Sequence, residues 1–325
     1  MTKSGSALLF FLVKAAITIS LIVVIFMKID FSVLARHLDG GGAVYLFFGT
    51  LLLAINVLVV AARWWLLLRR LGVEALSLGY AMAGTYASVF VGQATPGAIG
   101  ADAVRGWLCY GRGVALRTII MSLVTDRLLA LLGLVGVSLA VWYWQFDAAG
   151  RSMGVQIAIL AAALAAGAAF VLWLMPALTD RLAERWVRLR KVHELVAIFR
   201  FTALSRAGAA GLLLSGIVVA LTVNAVILFA HGFGVALAPS VAYLVVPIAI
   251  LFSSLPISIG GWGVREASLS YGLVLFGLRP DDAALLGLAL GIGLLLASLP
   301  GGIVMLMLGG QARPALHRAG GRLID

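Results

Sequence analysis

Apolar runs of about 20 residues, the length that crosses a bilayer core, recur along the whole chain, and two of them are broken by proline, glycine and charge. The first break reads Pro96-Gly97-Ala98-Ile99-Gly100-Ala101-Asp102-Ala103-Val104-Arg105. The second reads Pro256-Ile257-Ser258-Ile259-Gly260-Gly261-Trp262-Gly263-Val264-Arg265, followed by Glu266. At an offset of 160 residues the two share Pro, Ile, Gly, Val and Arg at five of ten positions. A backbone interrupted at membrane depth must be buried in protein or line a wet cavity, because lipid satisfies neither N–H nor C=O. Paired interruptions at corresponding places in two halves of a membrane chain point to a transport site.

Composition supports the membrane reading. Charged residues make up 11% of the chain and hydrophobic residues 63%, against about 25% charge in a soluble domain. No stretch is polar enough for a separate soluble domain, so residues 1–325 read as one integral membrane domain. The net charge of +11 does not indicate nucleic acid, since the basic residues lie in short loops between spans. There they act as topology signals and anionic-lipid contacts. The single Cys109 excludes an intrachain disulfide. No HExxH, GxSxG, His/Cys cluster or nucleotide-binding motif occurs. The chain is therefore expected to be no enzyme, to bind no metal and to use no cofactor.

Full spans are expected over about 8–27, 44–62, 118–143, 153–175, 208–231 and 283–308. Lys14 sits inside the first and reads as a snorkelling residue of a retained helix rather than part of a cleaved signal peptide. Arg63-Trp64-Trp65 and Arg69-Arg70 read as an interfacial end of the second. Between 178 and 206 seven Arg and Lys stand against three acids, with Leu182, Trp186, Leu189, Val196 and Phe199 at helical spacing. This is the pattern of a basic amphipathic helix on an anionic lipid surface.

The positive-inside rule places 178–206 and both termini in the cytoplasm. The stretch 76–116 must then begin and end inside, and 239–277 must begin and end outside. Each reads as a re-entrant hairpin, broken at Pro96 and at Pro256. Repeat one, about 44–143, is thus matched upside down by repeat two, about 208–308. The expected fold is an all-α polytopic membrane protein with about six full spans and two opposed hairpins in an inverted repeat.

Gly97, Gly100, Gly260 and Gly261 suit the tight turns of such breaks. Pro96, Pro256 and Ser258 complete the two loops. A helix restarting after a break points free N–H groups at an anionic ligand, and Arg105 and Arg265 add forked donors suited to phosphate or carboxylate. Asp102 and Glu266 would neutralise those arginines in an empty site. The alternative is a pair of Arg–acid contacts that staple the hairpins. Asp126 and Arg127, about nine residues into a span, are costly at that depth and default to a functional reading. Adjacent helical residues point about 100° apart, so each needs its own partner; Glu266 or Asp102 is expected for Arg127. Asn224 and His231 share one helix face, and His231 reads as interfacial.

The run Ser254 to Glu266 resembles the signature of the lysylphosphatidylglycerol synthase/flippase transmembrane family, the membrane half of the multiple peptide resistance factor. The segment Pro96 to Arg105 and the pair Asp126-Arg127 are similar to its other motifs, and the resemblance covers nearly the whole chain. It implies movement of lipid headgroups between leaflets, aminoacylated phosphatidylglycerol in the best-known members, and a bacterial cytoplasmic membrane. This sequence runs out soon after its last span, without the soluble aminoacyl-transferase part of the two-domain form. The expected substrate therefore widens to phospholipids, glycolipids or polyprenyl-linked sugars.

The leading expectation is a lipid flippase in which Arg105 and Arg265 bind phosphate, and Asp102, Asp126 and Glu266 face a cationic or sugar headgroup or carry a proton. Loss of the Arg265 charge is expected to stop transport and leave folding intact. The alternatives are a secondary transporter of a small anionic solute and a non-catalytic partner of an envelope biosynthetic enzyme. Small residues at 161–167 suit close helix packing, within the chain or in a homo-oligomer.

Overall fold

The computed structural model describes residues 41–95, 99–145 and 197–309. The spans expected over 8–27 and 153–175, most of the basic segment 178–206, and Pro96 and Gly97 lie outside the described residues. Among the described residues no strand occurs, and nine helices are described from end to end. They are α1 (Ala43–Arg70), α2 (Leu78–Gly92), α3 (Ile99–Tyr110), α4 (Leu116–Gln145), α5 (Arg206–Gly232), α6 (Pro239–Ser253), α7 (Val264–Leu275), α8 (Pro280–Ser298) and α9 (Pro300–Gly309).

The order long, short, short, long occurs twice. α1 to α4 have 28, 15, 12 and 30 residues, and α5 to α8 have 27, 15, 12 and 19. At about 1.5 Å per residue the short helices reach roughly 18–23 Å, less than a hydrocarbon core of about 30 Å. Four segments are long and apolar enough to cross: Ala43–Arg70, Leu116–Val141, Arg206–Gly232 and Pro280–Met307. These are the four full spans expected within the described residues.

Local chemistry sets the boundaries. Ser77 and Ser205 cap α2 and α5, accepting from the N–H of Tyr80 and Gly208 at 3.2 Å each. Pro239 and Pro280 open α6 and α8, where a missing N–H costs nothing. Two boundaries differ from the sequence expectation. α1 does not end near residue 62 but continues to Arg70, so Arg63 and Trp64 are buried inside a helix rather than placed at an interface. The last span, Pro280–Met307, is kinked rather than straight: Leu299 between α8 and α9 keeps helical angles (φ −54°, ψ −38°), but Pro300 has no N–H to give the α8 ladder. The end of the basic segment is helical over 197–203 and is separated from α5 by the Ser205 cap.

Two apolar cores lie mainly one in each half, the second also taking in Leu53 of α1. Trp64, Leu68, Ala81, Cys109 and Ile119 join α1 to α4. Val226, Val246, Leu269, Leu273 and Leu286 join α5 to α8. The first helices of the two halves, α1 and α5, form the largest helix–helix contact. Asn56 Nδ2 ties them by donating to Val218 O at 2.8 Å and Thr222 Oγ1 at 2.9 Å. The charged groups of α1, α3 and α4 gather beside this seam.

Candidate functional site

A buried charge cluster sits between α1, α3, α4 and α5. Asp126 Oδ1 accepts from Arg63 Nε at 2.7 Å, and its Oδ2 accepts from Arg105 Nη1 at 3.1 Å. Arg63 also donates from Nη1 to Ser215 Oγ at 2.9 Å. Asp102 accepts from Arg105 Nη2 and takes a forked pair from Arg127, Nε at 2.9 Å and Nη2 at 3.0 Å. The Arg105 guanidinium lies 5.2 Å from the Trp64 ring centroid. Among the described residues three arginines thus share two carboxylates, a formal charge of +1 (3 − 2).

Helix geometry explains the arrangement. Asp102 and Arg105 are three residues apart on α3 and share a face. Asp126 and Arg127 are adjacent on α4 and diverge, so Asp126 turns into the core and Arg127 outward. Arg127 pairs with Asp102, one of the two partners expected for it; the other, Glu266, engages Arg265 instead.

The cluster walls a cavity of about 220 Å³ lined by Arg63, Arg105, Asp126, Arg127, Thr85 and Thr222. Two of its polar atoms, Arg105 Nε and Thr85 Oγ1, are buried without a hydrogen-bond partner. Such atoms are rare in native proteins, and each suggests a missing polar partner. Pro247 of α6 also lines the cavity; it removes the bond to the carbonyl of Tyr243 one turn earlier.

The second motif forms a separate cluster. Gly260, Gly261 and Gly263 have φ of 60°, 74° and 80°, and α7 restarts immediately after them. Glu266 closes that start, its Oε2 accepting from Gly263 N at 2.6 Å. Its Oε1 takes Arg265 Nε at 3.0 Å and Nη2 at 2.6 Å. Arg265 is 3% exposed and Glu266 1%. This pair packs against Gly291 of α8, where a Cβ would meet both side chains, and it does not line the cavity. Removing Arg265 alone would strand a buried carboxylate, so the expectation that folding survives loss of its charge does not hold on this geometry.

The second motif touches the backbone at the end of the α2 limb, just ahead of the first motif. Gly260 N donates to Thr95 O at 2.7 Å, directly before the first motif. A Cβ on Gly260 would run into Gln93 O in a conformation that L residues avoid. Gly260→Ala is expected to destabilise the protein by about 1–3 kcal/mol, the scale of local backbone strain. Thermal unfolding in detergent measures this; an unchanged midpoint would show that the motif contact is dispensable.

Of the other candidates, Gly100 packs against the Thr95 side chain. Pro256 is exposed, and Ser258 is fully buried with its Oγ unpartnered. Asn224 binds Tyr243 Oη at 2.8 Å, and His231 is exposed and stacks on Tyr45. Arg63 was missed by sequence reasoning. Its signal was depth: it lies seven residues, about 10 Å along the axis, before the helix end at Arg70.

Long apolar helices around a buried charge cluster define an integral membrane protein of polytopic, all-helical architecture. The family model for the lysylphosphatidylglycerol synthase TM region matches residues 11–303, and the chain belongs to that family. No curated protein and no solved structure matches it.

Proposed function

We propose that this protein moves a polar-headgroup lipid between leaflets by alternating access. The observation that carries this reading is the cavity walled by Arg63, Arg105, Arg127 and Asp126, in which Arg105 Nε and Thr85 Oγ1 lack partners. A phosphate is the ligand such donors suit, as forked guanidinium contacts to it are strong and directional. The family ties the chain to membrane lipid. The repeated helix order supports an inverted repeat, with α2–α3 and α6–α7 as hairpins entering from opposite faces. The contact of Gly260 with Thr95, next to the first motif, is in keeping with two hairpins whose tips approach each other. The headgroup would occupy the cavity while the chains stay in lipid.

Purified protein in liposomes with fluorescent lipids that differ only in headgroup tests this. Headgroup-dependent transbilayer movement, lost in Arg127→Gln, is the expected result. Arg127 is the cluster arginine with the greatest exposure, 39% of its side chain, so this variant disturbs folding least. Folded wild-type protein that moves no lipid overturns the reading. A second reading, a transporter of a small soluble anion, is favoured by the modest cavity volume of about 220 Å³. It requires anion uptake that is indifferent to lipid identity.

A further inference from the structure

A second concavity lies on the other side of α3. It is an open groove of about 630 Å³ between α3 and α4, lined by Asp102, Ala103, Gly106, Tyr110, Ile120 and Leu123 among others. Its volume falls in the range of about 300–1,000 Å³ typical of ligand sites. Its walls are apolar apart from Asp102, the Tyr110 hydroxyl and the Trp107 indole N–H. Ile120 and Tyr110 are 45% and 50% exposed, and α4 carries this groove along a segment apolar enough to cross a membrane. Gly106 deepens the floor: a Cβ there would stand 3.3 Å from Ile119 Cγ2.

The inner end of the groove connects to the charge cluster. Asp102 lines the groove, while Arg127, its forked partner at 2.9 and 3.0 Å, lines the enclosed cavity. The Asp102–Arg127 pair is thus a partition between the two spaces. It is also the accessible edge of the cluster: Asp102 and Arg127 side chains are 22% and 39% exposed, whereas those of Arg63, Arg105 and Asp126 are 4% or less. An apolar trough ending at an ion pair that a phosphate can break is matched by one chemistry, an anionic headgroup joined to a hydrocarbon chain.

We propose that the α3–α4 groove is the subsite for one acyl chain of a membrane phospholipid, and that the lipid phosphate enters the cavity by replacing Asp102 on the Arg127 guanidinium. This rests on the lipid-transport reading and adds the route. Aliphatic contact fixes the chain's place but gains little over the bilayer it leaves, because lipid tails are as apolar as the groove. Affinity therefore comes from the phosphate–Arg127 contact, and the groove sets register.

The test uses the full-length protein in liposomes containing a phosphatidylglycerol with a diazirine in one acyl chain. After illumination, labelled peptides are mapped by mass spectrometry, and transport is followed in parallel. The expected result is labelling concentrated on residues 99–123 that is lost, together with lipid movement, in Ala103→Trp. Ala103 is exposed on the groove wall, so the indole fills the groove without entering the core. Ile120→Trp fills it from α4 and gives the same result. Labelling spread evenly over all lipid-facing helices overturns the proposal, as does unchanged labelling and movement in both folded variants. Concentrated labelling by a wild-type protein that moves no lipid keeps the subsite and removes the transport reading.

Discussion

Replacing Asp126 by alanine is expected to cost about 3–5 kcal/mol, the scale for stripping one partner from a buried ion pair, and to leave little folded protein. Asp126 is 1% exposed and holds two guanidiniums, Arg63 at 2.7 Å and Arg105 at 3.1 Å. Neither arginine reaches water, both being 3% exposed. Arg63 would keep only Ser215, and Arg105 only Asp102. Asp126→Asn should fall between, since the amide retains one acceptor and the shape of the site but no charge. A double variant, Arg63→Met with Asp126→Leu, should recover stability relative to Asp126→Ala, because apolar residues of similar volume replace a buried pair with little loss. Thermal unfolding in detergent, followed by tryptophan fluorescence, measures all three; the single variants Arg63→Met and Asp126→Leu close the cycle from which coupling between the two sites is read. An Asp126→Ala protein as stable as wild type would show that the cluster is wet and its charges independent.

That an apolar pair could replace these charges with little loss of stability matters for function. Membrane interiors penalise ionisable groups, and those that persist default to a functional role. Five charged side chains in one cluster, held by four ion pairs, exceed what fastening four helices together needs. Helix packing already does that through α1–α5 and the two apolar cores.

Much of this arrangement was legible in the sequence. Pro239 and the Ser205 cap mark helix starts by local chemistry; α5 lies within two residues of the span read over 208–231, and α6 starts at residue 239, where the second hairpin was expected to begin. The pairing of Asp102 with Arg127 could be anticipated because a charge at that depth needs a counter-charge. Arg63 was misread because Trp64, Trp65, Arg69 and Arg70 beside it look like an interfacial belt. A rule of about 20 residues per span ends α1 a full two turns early. Trp64 is instead a core residue whose indole N–H donates to Ser122 Oγ at 3.2 Å. The kink at Leu299 was missed for a different reason. Hydropathy stays high across it, and only Pro300 with its following glycines betrays it. Those glycines let α9 pack on Tyr86 and Phe90 of α2, a tertiary contact that no local pattern encodes.

Symmetry of sequence did not become symmetry of role. Arg105 and Arg265 align in the two motifs, yet only Arg105 lines the cavity. Arg265 is spent on its own neighbour: Glu266 holds it at 2.6 Å while closing the start of α7. Arg265→Ala is therefore expected to lose about 3–5 kcal/mol, because it leaves a buried carboxylate with only the Gly263 N–H. Loss of transport in that variant would say nothing about ligand binding. Arg265→Met with Glu266→Gln removes both charges and keeps an acceptor for Gly263, so it is expected to fold, with a midpoint well above that of Arg265→Ala. Its transport separates the two roles of the motif. Lipid movement near the wild-type rate assigns the pair to fastening α7 against Gly291 of α8. Loss of movement in a folded, charge-free protein would place Arg265 on the transport path, reached in a conformation in which the hairpin turns away from Gly291. The first outcome is expected, since both carboxylate oxygens of Glu266 are already engaged within its own hairpin.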